Sequence, residues 1–85
     1  MRYKIVAIRD RAIDAFSQPF FVANVGSAIR SFGDEIKRPH SAERPNAYNQ
    51  HPDDFDLYAL GEFDDETGEF SATRPQQIAV GKDYI

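Results

Sequence analysis

The sequence predicts an α+β fold: a two-layer sandwich in which one helix, about residues 24–37, packs on an antiparallel sheet of four or five strands. Three observations predict it. The chain opens on an alternating run rich in aromatic and β-branched residues; a stripe of apolar residues at helical spacing follows; and two β-patterned runs flank a turn near the far end.

"RYKIVAIR" sets Tyr3, Ile5 and Ala7 against Arg2, Lys4, Val6 and Ile8, so the first strand has one cleaner apolar face. "DRAID" turns the chain. "FSQPFFVA" then resumes a β-like composition, with Pro19 predicting an edge position or a bulge because it has no N–H to donate.

In "NVGSAIRSFGDEIKRP" the period changes. Val25, Ala28, Ile29, Phe32 and Ile36 fall on one helical stripe, Asn24 can cap the start and Pro39 stops the helix. Gly26 and Gly33 each weaken such a helix by about 1 kcal/mol relative to Ala, which close packing on a sheet would explain. Residues 38–53 then turn to Pro, His, Asn and charge, a connection long enough to be functional or mobile.

Phe55 to Phe63 alternates again, with Phe55, Leu57, Ala59, Gly61 and Phe63 on one face and Asp56, Tyr58, Leu60 and Glu62 on the other. "DDETG" is hairpin-turn chemistry with Gly68 in the left-handed conformation, and residues 69–73 return antiparallel. After Arg74 and Pro75, Ile78 to Val80 offers a further short strand. The sheet face away from the helix then carries Tyr58 and Leu60, with Val6 and Ile8, among its charges. That is apolar enough to predict a homodimer through Tyr58 and Leu60.

At 85 residues without an internal repeat the chain is one domain, 1–85, close to the size limit for a single core. It has no cysteine, hence no disulfide and no thiolate metal site. The opening lacks the apolar region of a signal peptide, and no run reaches the roughly 20 apolar residues that span a bilayer. The expectation is a soluble protein with no membrane partner.

The net charge is −4, but it is unevenly spread: residues 1–44 hold eight bases and five acids, and residues 45–85 two bases and nine acids. Nucleic-acid binding would use the basic half, through Arg9, Arg11, Arg30, Lys37 and Arg38, with Tyr3, Tyr48 or Tyr58 stacking on single-stranded bases. The simpler reading pairs these cations with neighbouring acids, as Arg30 with Asp34.

"HPDDFDLYALGEFDDETGEF" contains eight carboxylates. A divalent cation needs several oxygens converging at about 2.0–2.6 Å. Asp54, Asp56, Glu62 and Asp64 share the even-numbered face, yet residues two apart on a strand stand roughly 6–7 Å from one another. No metal and no cofactor are expected. The sequence also has no H-E-x-x-H, G-x-S-x-G or phosphate loop, and His40 and His51 both sit beside proline in the long connection, so no enzyme is expected.

Taken in order, "RYKIVAIRD", "QPFFVANVGSAIRSFGDEI", "HPDDFDLYALGEFDDETGEF" and "IAVG" resemble the small nonstructural protein of gokushovirus-type Microviridae, single-stranded DNA phages. The most specific pieces are "AIRSF" followed by Asp34, and "HPDDF" followed by "LYALGEFD". The resemblance implies a noncapsid role in host cytoplasm in making or packaging the single-stranded genome, by weak DNA binding or by docking to a replication or packaging protein. It brings no catalytic or binding residues with it. Two rivals stand beside it: a protein-interaction or dimerisation module without DNA contact, and a small metal-dependent enzyme in which hairpin acids meet acids or His51 of the long connection. On either DNA reading the acids of the second half repel phosphate, so DNA approaches from the first half.

Overall fold

The computed structural model describes residues 1–85. Strand β1 (Arg2–Asp10) is followed by two short strands, β2 (Ala15–Phe16) and β3 (Phe20–Val22). Helix α1 (Val25–Lys37) comes next, then the one-turn helix α2 (Ala47–Gln50), a 3-10 turn (Pro52–Asp54) and strand β4 (Phe55–Asp64). Strand β5 (Phe70–Val80) and a last 3-10 turn (Gly81–Tyr84) complete the chain. The five strands form one antiparallel sheet, with β1 and β4 central, β5 beyond β4, and β2 and β3 both beyond β1. This is the expected α+β sandwich.

The break at Pro19 divides the second sequence segment into β2 and β3, and Ser17 holds the step by bonding Ile8 through both its N–H and its Oγ (2.7 and 3.0 Å). Asn24 caps α1, its Oδ1 accepting from Ser27 N at 2.8 Å. The helix lays Ala28, Phe32 and Ile36 on Val6, Phe55, Leu57 and Ala79, with Ile8, Val22, Ile29 and Tyr48 around them.

Val6 and Ile8 are therefore core residues beneath the helix, not part of the second face; their bulk fills the layer between helix and sheet. Tyr3, Ile5 and Ala7 line the open face instead. Lys4 shares the face of Val6 by strand alternation, and a lysine is tolerated there because the helix starts at its level and leaves it uncovered: Lys4, Val25, Ala59 and Gly61 border one hollow. The helix of 13 residues is about 20 Å long in a molecule whose longest dimension is 44 Å, so the hairpin end of the sheet projects beyond it.

The alternation expected for residues 55–63 fails half-way. Ile5 pairs with Gly61 and Val6 with Ala59, which leaves Leu60 as an unpaired bulge residue. A bulge reverses the sense of the alternation beyond it. Phe55, Leu57 and Ala59 thus face the helix while Phe63 faces away, and Asp56 lies on the opposite side of the sheet from Glu62 and Asp64. Gly61 makes this geometry accessible: its φ is +152°, and a Cβ there would fall 2.2 Å from the carbonyl oxygen of Ser71.

Residues 78–80 are the end of β5 itself. The strand continues past Pro75 through a ladder irregularity, Gly61 pairing with Ala72 and Ala59 with Gln76, which an edge strand tolerates because its outer side needs no partners. Gly68 takes the left-handed conformation in the hairpin turn, as expected (φ +77°). Gly33 is buried, but against Tyr84 of the last turn and not against the sheet; Gly26 is exposed and packs closely on nothing.

The connection 38–53 is tied to the end of α1. Buried Asn46 donates through Nδ2 to the carbonyls of Glu35 and Arg38 (2.8 Å each), caps α2 by accepting from Tyr48 N, and donates its own N–H to His40 Nδ1 (2.8 Å). Asn49 Nδ2 donates to Ile36 O at 2.9 Å.

Candidate nucleic-acid interface

The five cations singled out in the sequence do not form one patch. Arg9 projects from β1 on the open face, where its guanidinium meets the Asp14 carboxylate and stands 5.9 Å from the centre of the Phe16 ring. Bonds to Asp14, and then to Tyr58, raise its pKa further above the ordinary arginine value. Arg11 lies at the same end, its Nε 3.2 Å from Asp56 Oδ2 and its Nη2 on the carbonyl of Asp53. Arg30, Lys37 and Arg38 are on the helix side of the sheet. Arg30 and Lys37 are in no ion pair, the i+4 pair with Asp34 being absent, while Arg38 is held by Glu35 at 2.7 Å, which raises its pKa.

The carboxylates sort by sheet face, not by sequence half, because β1 of the first half and β4 of the second are paired neighbours. On the helix side, beyond the helix, Glu62 takes both Lys4 and Arg2, the latter at 3.7 Å, and Arg2, Glu62, Asp64 and Glu69 ring a polar hollow. The hydrogen bond from Lys4 lowers the Glu62 pKa most, with the Lys4 and Arg2 charges adding to it. On the open face the only charged side chains from the two central strands are Arg9 and Asp56. Asp56 is 3% exposed and ion-paired with Arg11 through Oδ2, with its Oδ1 buried and unpartnered.

What fills the open face is aromatic. At one end Phe16 and Tyr58 meet edge to face at 5.3 Å beside Arg9. At the other, Phe21 of β3, Phe63 of β4 and Phe70 of β5 form a cluster with ring centres 4.9 to 6.3 Å apart. Phe16, Phe21 and Phe70 are 43, 50 and 64% exposed, a degree of solvent contact unusual for phenylalanine in a small domain.

A family model described as Phage ORF5 protein matches residues 3–84. The chain belongs to this phage protein family. No curated protein and no solved structure matches it. For this Phage ORF5 family member, therefore, site residues have to come from the geometry.

The sequence gives no role to Phe16, Phe21 and Phe70, although "QPFF" and "TGEF" place rings beside edge and turn signals, and it puts Phe63 on the core face. Of the tyrosines considered for stacking, Tyr3 and Tyr58 are on the open face, and Tyr48 is spent on Phe55 at 4.6 Å. Tyr58 is half-buried and Leu60 is the bulge residue. His40 accepts a backbone N–H, and no three His, Cys, Asp or Glu side chains converge as a metal ion requires. No helix is long and apolar enough to cross a membrane.

Proposed function

We propose that this phage protein is a noncatalytic accessory factor of a gokushovirus-type single-stranded DNA phage, acting in host cytoplasm in synthesis or packaging of the genome by weak DNA binding. The observation that supports this reading is the separation of charge by face. The open face offers Arg9 and Arg11, and the carboxylates beside them are both paired, exposed Asp14 with Arg9 and buried Asp56 with Arg11, so phosphate meets less repulsion there than the overall charge of −4 implies.

The test is fluorescence anisotropy with a labelled single-stranded oligonucleotide at low and moderate salt, with and without Mg²⁺. Weak binding that falls steeply with salt supports the reading. No binding at tens of micromolar protein removes it and leaves docking to a replication or packaging protein. Cleavage of the oligonucleotide promotes the metal-dependent enzyme in its place.

The exposed phenylalanines also favour a second reading, a homodimer closed through the open face around Tyr58 and Leu60. Sedimentation as a monomer at micromolar concentration removes it.

A further inference from the structure

Resting on the DNA reading above, we infer that the open face is a stacking surface for unpaired bases, built as two aromatic platforms that one strand engages together. The first platform is Phe16 and Tyr58 with Arg9; the second is Phe21, Phe63 and Phe70. Each is anchored in the central ladder: Tyr58 opposite Ala7, Phe21 and Phe63 opposite Ile5 and Tyr3. Ala7 and Tyr3 are four residues apart on β1, which separates the platforms by roughly 13 Å.

Three observations commit the surface to bases. Its exposed apolar area is divided into two ring clusters with only small or half-buried side chains, Ala7 and Ile5, between them, whereas a partner protein's core contact needs a continuous patch. Arg9 lies over the Phe16 ring, where it can exchange its exposed partner Asp14 for a phosphate while the rings meet the bases. And the central strands put no carboxylate between the platforms, where Ala7, Ile5 and Gly61 lie; Asp56 stands opposite Arg9 at the outer end of the first platform, buried and paired with Arg11.

Ring faces are offered only to bases that have left a duplex, so the ligand is a single strand. Two platforms at this separation call for about four nucleotides, the lower end of the site sizes found on small β folds.

The experiment compares, on the full chain, oligothymidylates of two to eight nucleotides, an abasic oligonucleotide with the same number of phosphates, and a duplex. Wild-type protein should bind thymidylate about tenfold tighter than the abasic strand and the duplex, with affinity rising steeply up to about four nucleotides. Phe21→Ala and Phe70→Ala, at exposed positions that leave the core intact, should each remove most of that advantage without changing abasic binding.

Equal affinity for thymidylate and abasic strands overturns the platforms while leaving phosphate-driven DNA binding in place. A thymidylate preference untouched by either Phe variant overturns the assignment of the second platform. Binding to none of the oligonucleotides overturns the DNA reading itself, and this inference with it.

Discussion

The ring of Tyr84 occupies the space that a side chain at Gly33 would need: a Cβ there falls 2.8 Å from both Cδ1 and Cε1 of Tyr84. The same ring packs edge-on to Phe32 at 6.0 Å and has the Lys37 ammonium 6.0 Å from its centre. A glycine in mid-helix is therefore kept so that the last turn can close over α1. Gly33→Ala combines a gain of about 1 kcal/mol in helix propensity with displacement of the ring. We expect net destabilisation in the wild-type chain, but stabilisation by about 1 kcal/mol in a Tyr84→Ala background. Urea melts of the four proteins of this double-mutant cycle measure both, and equal effects in the two backgrounds would show the contact to be idle.

Gly61→Ala tests the bulge. Alanine at a φ of +152° is strained, and its Cβ overlaps the Ser71 carbonyl, which belongs to backbone and cannot rotate away. The expected cost is about 2–4 kcal/mol in denaturant unfolding. Because the bulge sets which residues face the open side, the ring contact between Phe63 and Phe21 should be disturbed as well, visible as changed aromatic shifts by NMR.

Gly61 also marks where sequence reading stops. The helix with its Asn24 cap, the hairpin turn and the element order follow from local signals: 3.6-residue spacing, a capping side chain, Gly68 in a turn. The face assignment beyond residue 60 depends on one unpaired residue, Leu60, and a glycine within a strand announces a bulge without saying how the register resumes. Phe63 is misplaced for that reason, since strict alternation puts it with Leu57 in the core. The separation of charge by face was invisible for a second reason: it needs the pairing of β1 with β4, a contact between distant segments.

Asn46 is buried and makes hydrogen bonds to both ends it connects, the carbonyls of Glu35 and Arg38 and the N–H of Tyr48. Asn46→Ala leaves these groups without their partner at a site water reaches poorly. The expected loss is about 2–3 kcal/mol. Hydrogen exchange should report it locally, with protection falling from 38 to 53 before β1 and β4 are affected; a uniform loss would mean that the segment is not an independent unit.

Glu62 gives stability a pH dependence. Its pKa in the fold lies below the ordinary 4.5, first through the hydrogen bond from Lys4. A group whose folded pKa is depressed stabilises above its unfolded value, and the contribution disappears as pH falls through the folded one. The thermal midpoint should accordingly drop as pH is lowered from 5 toward 3, by less in Glu62→Gln than in wild type. Parallel pH curves for the two proteins would detach the effect from Glu62.

Arg9 and the helix cations are separated by the sheet, so they make opposite predictions for DNA. Arg9→Ala removes a phosphate partner from the open face and should weaken oligonucleotide binding about five- to tenfold, lowering the salt slope by about one. Arg30→Gln with Lys37→Gln removes two charges, more than Arg9→Ala does, but from the far side. At 0.15 M salt the screening length is about 8 Å, so this pair should change affinity by less than about twofold. Were net charge the determinant, the double variant would bind more weakly than Arg9→Ala. The order of the two affinities thus separates a contact located on the open face from a general attraction, and the reverse order would overturn the placement at Arg9.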